Sequence, residues 1–177
     1  MRLVRFLRRL ARNRRGVSAV EFALIAPLML LMYAGATELT QAYMAQKRVT
    51  HVAAVIADLT SQETALNEGM VEDIFTAGQH ILLPFATATL TQRLTSIERR
   101  PNGTTAVLWS RTSGTAPLRA TAAIAIPPDV LEAGETIIVS EVAYVFTSPV
   151  GELMPNGVRF DSVYFLRPRL STRITCC

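Results

Sequence analysis

Residues 14–36 read RRGVSAVEFALIAPLMLLMYAGA, and the architecture of the chain turns on this stretch. From Val17 to Ala36 the only charge is Glu21. A helix rises about 1.5 Å per residue, so this run extends roughly 30 Å, the thickness of a bilayer's hydrocarbon core. Seven of the 18 basic residues lie in the first 16 positions, at Arg2, Arg5, Arg8, Arg9, Arg12, Arg14 and Arg15, with no acid among them. Cations at one end of an apolar helix keep that end in the cytoplasm. The sequence therefore predicts a membrane protein that crosses once, N-terminus inside and C-terminal part outside, with Arg8, Arg9, Arg12, Arg14 and Arg15 as the topology residues. The boundaries are a leader over 1–16, a transmembrane helix over 17–36 and an outer domain over 37–177.

Three fates of this segment compete. Ala34-Gly35-Ala36 offers an A-x-A match to a secretory signal peptidase. A plain uncleaved anchor explains the hydropathy but not Glu21. The third is a prepilin-type signal, cut on the cytoplasmic side between Gly16 and Val17. Glu21 favours the third. A carboxylate in the middle of the membrane costs roughly 3 kcal/mol on insertion scales, and less near the interface. In the first turn of a helix it also meets the positive end of the macrodipole. Cleavage after Gly16 would give Val17 a free ammonium about one turn away, a partner for Glu21 in the same chain or in a neighbour. Gly16, lacking a side chain, suits an extended fit in a protease cleft. Pro27 removes one backbone bond mid-span and bends the helix.

The run RRG-VSAV-EF-ALIAP resembles type IV prepilins processed at G|xxxxE, and more narrowly the TadE-like minor pilins of the tight-adherence (Flp) pilus system. The residues that carry the resemblance are Arg14, Arg15, Gly16, Glu21, Phe22 and Pro27, with Gly35-x-x-Glu38 at the end of the span. Tyr164–Cys177 is similar to endings in that family. Flp pilins favour Glu-Tyr where this chain has Glu21-Phe22, and the chain is much longer than a major pilin; both features fit a minor pilin. The resemblance implies a pseudopilin that supports pilus assembly, adhesion or surface attachment. It also implies prepilin peptidase, other pilin subunits, the assembly platform and inner-membrane lipid as partners.

Without the leader, 11 basic residues face 14 acidic ones, so the outer part is mildly acidic despite the net +4 of the whole. It offers no basic face to nucleic acid. Half the residues are hydrophobic and mean hydropathy is positive. The two cysteines, Cys176 and Cys177, are adjacent at the end. They form no disulfide framework and no metal-ligand spacing.

Beyond the span, Val49, Val52, Ala53, Ile56 and Leu59 recur at three- and four-residue spacing, which predicts one helix from about Val17 to Thr60. A break near Gly35 is the alternative. A second helix is predicted from Leu66 or Asn67 to Leu82, with Val71, Ile74, Phe75, Ile81 and Leu82 on one side and Pro84 as its stop. Strands follow at Leu90–Arg99 and Thr104–Arg111 around the turn Arg100–Gly103, then at Ile137–Thr147, at Val158–Arg167 after a second Pro-Asn-Gly, and at Leu170–Thr175. Pro127-Pro128-Asp129 and Gly134 mark a loop. The fold class is α+β: a long N-terminal helix running from membrane to outer domain, and a second helix, packed on an antiparallel sheet.

No catalytic chemistry stands out. G-x-S-x-G, H-E-x-x-H, P-loop and G-x-G-x-x-G patterns do not occur. His51 and His80 read as ordinary surface or packed histidines, and Glu72-Asp73 as helix-start charges. Asn102-Gly103-Thr104 reads as a turn. Trp109 and Tyr144 fall on strands, facing core or partner. The chain is expected to be no enzyme, to bind no cofactor and no metal, and to act structurally.

Overall fold

The computed structural model describes residues 16–118, 126, 131–148, 151 and 154–177. Arg8, Arg9, Arg12, Arg14, Arg15 and Pro127-Pro128-Asp129 lie outside the described residues. Helix α1 spans Val17–Ser61 without interruption, passing through Pro27 and Gly35. The alternative of two helices broken near Gly35 is not what forms.

The sequence of α1 divides it into two halves. From Glu38 onward, Glu38, Ala42, Ala45, Val49, Val52 and Ile56 are buried, at alternating steps of four and three. That spacing keeps one stripe facing a single partner surface. Buried alanines at 42, 45, 53 and 57 keep the helix surface slim where it packs. Before Glu38 no residue from Gly16 to Thr37 is buried. The helix ends where side chains turn back on its last carbonyls. Thr60 Oγ1 donates to Ile56 O (2.7 Å) and Ser61 Oγ to Asp58 O (2.8 Å). The backbone N–H of Arg169 takes up Ser61 O at 2.9 Å.

Strand β1 (Ala65–Leu66) leads into helix α2 (Glu68–Leu82). Asn67 caps α2, its side-chain oxygen accepting from the Met70 N–H at 2.9 Å, and Pro84 follows its end. Four strands then form one antiparallel sheet: β2 (Thr91–Arg99), β3 (Thr105–Ser113), β4 (Thr136–Phe146) and β5 (Val158–Leu166). Their spatial order is β3-β2-β4-β5. The β2–β3 turn closes as its residues dictate. Gly103 adopts φ +81°, and Asn102 Oδ1 accepts from the Thr104 N–H and hydroxyl. A bulge at Leu108 shifts the register, so that Ser96 opposes Trp109 and Ile97 opposes Val107.

The helices cover one face of the sheet. Leu94, Trp109, Ile138, Val142, Tyr144 and Phe146 meet the stripe of α1 and the apolar side of α2 there. Phe85 sets its ring edge-on to Phe146, with centroids 5.9 Å apart. On the other face Ile97, Ile137 and Val139 gather around Leu131 in a smaller cluster. Farther along that face the surface turns polar, and Arg93 Nε bonds Glu141 Oε2 at 2.7 Å.

The expected strand Leu170–Thr175 needs correction. Strand β6 is Thr175–Cys176, and it pairs in parallel with β1, not with the main sheet. The tail turns away from the sheet because its bonds go elsewhere. Arg169 is tied to Ser61 and ion-paired with Asp58, and the Trp109 indole N–H donates to Ile174 O at 2.8 Å. Leu170, which a strand in the sheet would half-bury, stays exposed.

Candidate functional site: a bare apolar helix with an acid in its first turns

The far end of α1 is joined to the chain that follows β5, so β5 and α1 run in the same direction. The hairpin turn Arg100–Gly103 lies at the pole beside the helix's end, and α1 leaves the domain at the opposite pole. What leaves is Val17–Thr37, 21 residues of which none is buried. Its length is about 31 Å. Phe22 is 73 % exposed and Leu24 74 %, and Leu28, Met29, Leu30, Leu31 and Met32 are similarly open. Water would not tolerate such a surface on a monomer. This is a helix long and apolar enough to cross a membrane, and it fits a single-pass anchor.

Gly16 is the N-cap of α1 and has no side chain to close the first turn. A Cβ placed on it would meet nothing within 4 Å. Val17 beside it is exposed, so among the described residues nothing packs over this side of the Gly16–Val17 junction. Glu21 is exposed one turn further on, and among the described residues it has no hydrogen-bond or ion-pair partner. It stands on an otherwise apolar surface, close to the helix N-terminus, where four backbone N–H groups lack intrahelical acceptors. Phe22 points outward with the rest of the bare half. Pro27 sits inside the helix and leaves the Ala23 carbonyl without its N–H donor.

Glu38 gained weight only with the fold. It marks the point where the bare helix enters the domain, and it is 1 % exposed and partnered. The sequence places it in the Gly35-x-x-Glu38 pattern at the end of the span but does not show that it is buried.

His51 and His80 are exposed and stand apart from any cluster of acids or thiols. Among the described residues no group of three or more His, Cys, Asp or Glu could hold a metal ion. A shallow groove of about 380 Å³ lies between α2 and β3, lined in part by Glu68, Glu72, Phe75 and Arg111. Its two acids belong to the first turns of α2, where the helix dipole favours them. Tyr144 is core, and burial raises its hydroxyl above the ordinary value, so it stays neutral and structural.

Fold and site together define a class: an α+β protein in which one long helix is apolar and bare over its first half, as a single-pass anchor would be, and forms the spine of the folded domain over its second. Within that class, residues 16–58 match the family model of TadE-like proteins, beginning at the Gly16 N-cap and running through the buried stripe. The match is consistent with a TadE-like pilin of the tight-adherence pilus system. That family is structural, and it suggests contact with other pilus components. No curated protein and no solved structure matches the chain.

Proposed function

We propose that this protein is a minor pilin of a tight-adherence pilus, matured by prepilin peptidase between Gly16 and Val17 and held in the inner membrane by Val17–Thr37 until it is used in assembly. The outer domain then lies on the periplasmic side. The observation that carries this reading is the pairing of an unhindered Gly16–Val17 junction with an unpartnered Glu21 on a lipid-length bare helix. Cleavage converts the first of these into a positive charge suited to the second. Extraction from the bilayer exchanges lipid contacts for packing against other pilin helices, at little cost in apolar burial. The Val17 ammonium of a neighbour then meets Glu21 inside the assembly, where a lone carboxylate would be expensive. The TadE-like match over the same residues supports the assignment.

N-terminal analysis of the protein isolated from its native host's membranes tests it. Val17 is the expected first residue. An intact Met1 would establish an uncleaved periplasmic scaffold instead, and Thr37 would mean ordinary signal-peptide removal; either result rejects the pilin reading. The pairing role has its own test. A Glu21→Gln variant is expected to be cleaved and anchored but to fail in assembly, and normal surface pili from it would remove that role.

A further inference from the structure

Cys176 and Cys177 take no part in the fold's anchoring half, yet the structure treats them unusually. Neighbouring residues on a strand point to opposite faces, so two extended cysteines would hold their sulfurs well apart. Here the two Sγ atoms are 2.8 Å from one another. The tail that carries them is not a frayed end. Ile174 is fully buried, its carbonyl takes the Trp109 indole N–H, the Thr175 N–H donates to Thr64 O, and Cys176 is registered against Leu66. Cys176 packs against the main core while Cys177 is exposed.

From this arrangement we infer that Cys176 and Cys177 form a surface dithiol that exchanges with disulfides, with Cys177 as the attacking sulfur and Cys176 as the resolving one. The first step is attack by the Cys177 thiolate on a small disulfide such as oxidised glutathione. One mixed disulfide forms and one glutathione thiolate leaves. In the second step Cys176 gives up its proton to solvent and attacks Cys177 Sγ, expelling the second glutathione thiolate and closing a Cys176–Cys177 disulfide. Two protein thiols are oxidised and one glutathione disulfide is reduced to two thiols, so atoms and electrons balance.

Burial raises the Cys176 thiol to about 11, and the hydrogen bond to Cys177 and its charge push the same way, against the Arg111 guanidinium on β3. Cys176 is thus held protonated, while exposure makes Cys177 the sulfur that a disulfide reaches first. Neighbouring Cα atoms are about 3.8 Å apart, whereas unstrained disulfides span about 4.4–6.8 Å. The closed ring is strained, which makes the bond a reversible one and not a structural staple.

The test is to incubate the full-length protein, purified in detergent under reducing conditions, with oxidised glutathione and follow it by intact and peptide mass spectrometry. The wild-type C-terminal peptide is expected to lose two hydrogens, with no retained glutathione and no chain-to-chain link. A Cys176→Ser variant is expected to stop at a stable glutathione adduct on Cys177. Cys177→Ser is expected to react about tenfold or more slowly than that adduct forms. Wild-type protein that keeps the adduct, stays reduced, or becomes a disulfide-linked dimer overturns the inference. So does a Cys176→Ser variant without an adduct. None of these results depends on where the N-terminus is cut, so the maturation reading stands or falls separately.

Discussion

Ser96 and Ser140 place two hydroxyls beneath the helices, fully buried and without hydrogen-bond partners. A buried hydroxyl that makes no bond has given up its water for nothing, and replacing it with a methyl removes that penalty. Ser140→Ala is expected to stabilise the outer domain by about 1 kcal/mol; an unchanged or lower urea midpoint in detergent would show that the hydroxyl is satisfied in solution. The opposite outcome is expected at Gly78, where α2 comes closest to β2. A Cβ there would lie 2.0 Å from Gln92 Oε1 and 3.1 Å from a Val52 methyl. Gln92 cannot step aside freely, because it is buried and its Nε2 donates to Phe75 O at 3.0 Å. Gly78→Ala should therefore cost about 1–3 kcal/mol, read by the same denaturation, although it is a helix-favouring exchange on propensity alone. Neither residue is legible in the sequence. Ser140 sits in the middle of an apolar strand and Gly78 in the middle of an amphipathic helix, and what decides both is a neighbour 14 or more residues away. Glu21 is the contrast: its chemistry needs only the apolar residues on either side of it, so the sequence is enough to single it out.

Helix α1 shows how far periodicity reaches. The spacing of Val49, Val52, Ala53, Ile56 and Leu59 predicted both the helix and its buried face; the structure buries the first four and leaves Leu59 partly buried against the core. The same rule missed the start of the stripe, because Glu38 is charged and Ala42 and Ala45 are too small to register as a hydrophobic signal. Strands β2 to β5 begin and end within two residues of the expected limits, since Asn-Gly and Pro-Asn-Gly turns delimit three of their ends. The tail failed for a physical reason: Leu170–Thr175 has strand composition, but its hydrogen bonds are claimed by α1, β1 and Trp109 before any sheet edge can take them. The two halves of α1 give a paired prediction. Ile56→Ala removes a fully buried side chain and is expected to destabilise the domain by about 2–5 kcal/mol. Leu28→Ala removes similar bulk from the bare half and is expected to leave the domain's unfolding midpoint unchanged. Equal losses from the two would mean that the bare half folds back onto the domain, and the anchor reading would fail.

At the scale of the whole molecule the question is where lipid stops. The bare helix ends at Thr37 and burial begins at Glu38, so the last free turn and the first packed one adjoin. A span of about 31 Å fills the hydrocarbon core with nothing left over. In the proposed arrangement the domain would sit directly on the membrane surface, and tilting the helix would tilt the domain. Glu38 is buried and partnered at this junction. Its substitution by Ala is expected to loosen the domain by about 1.5–3 kcal/mol, the usual worth of bonds to a charged group. Single-cysteine variants in a Cys176→Ser, Cys177→Ser background locate the boundary directly. With a membrane-impermeant maleimide added to intact spheroplasts of the native host, Leu39→Cys is expected to label and Leu28→Cys to resist. Ser18→Cys should label only after the membrane is opened, because the proposed orientation puts the arginine-flanked end in the cytoplasm. Labelling of Ser18→Cys from outside, with Leu39→Cys protected, would reverse the orientation and put the Gly16–Val17 junction out of reach of a peptidase that cuts on the cytoplasmic side.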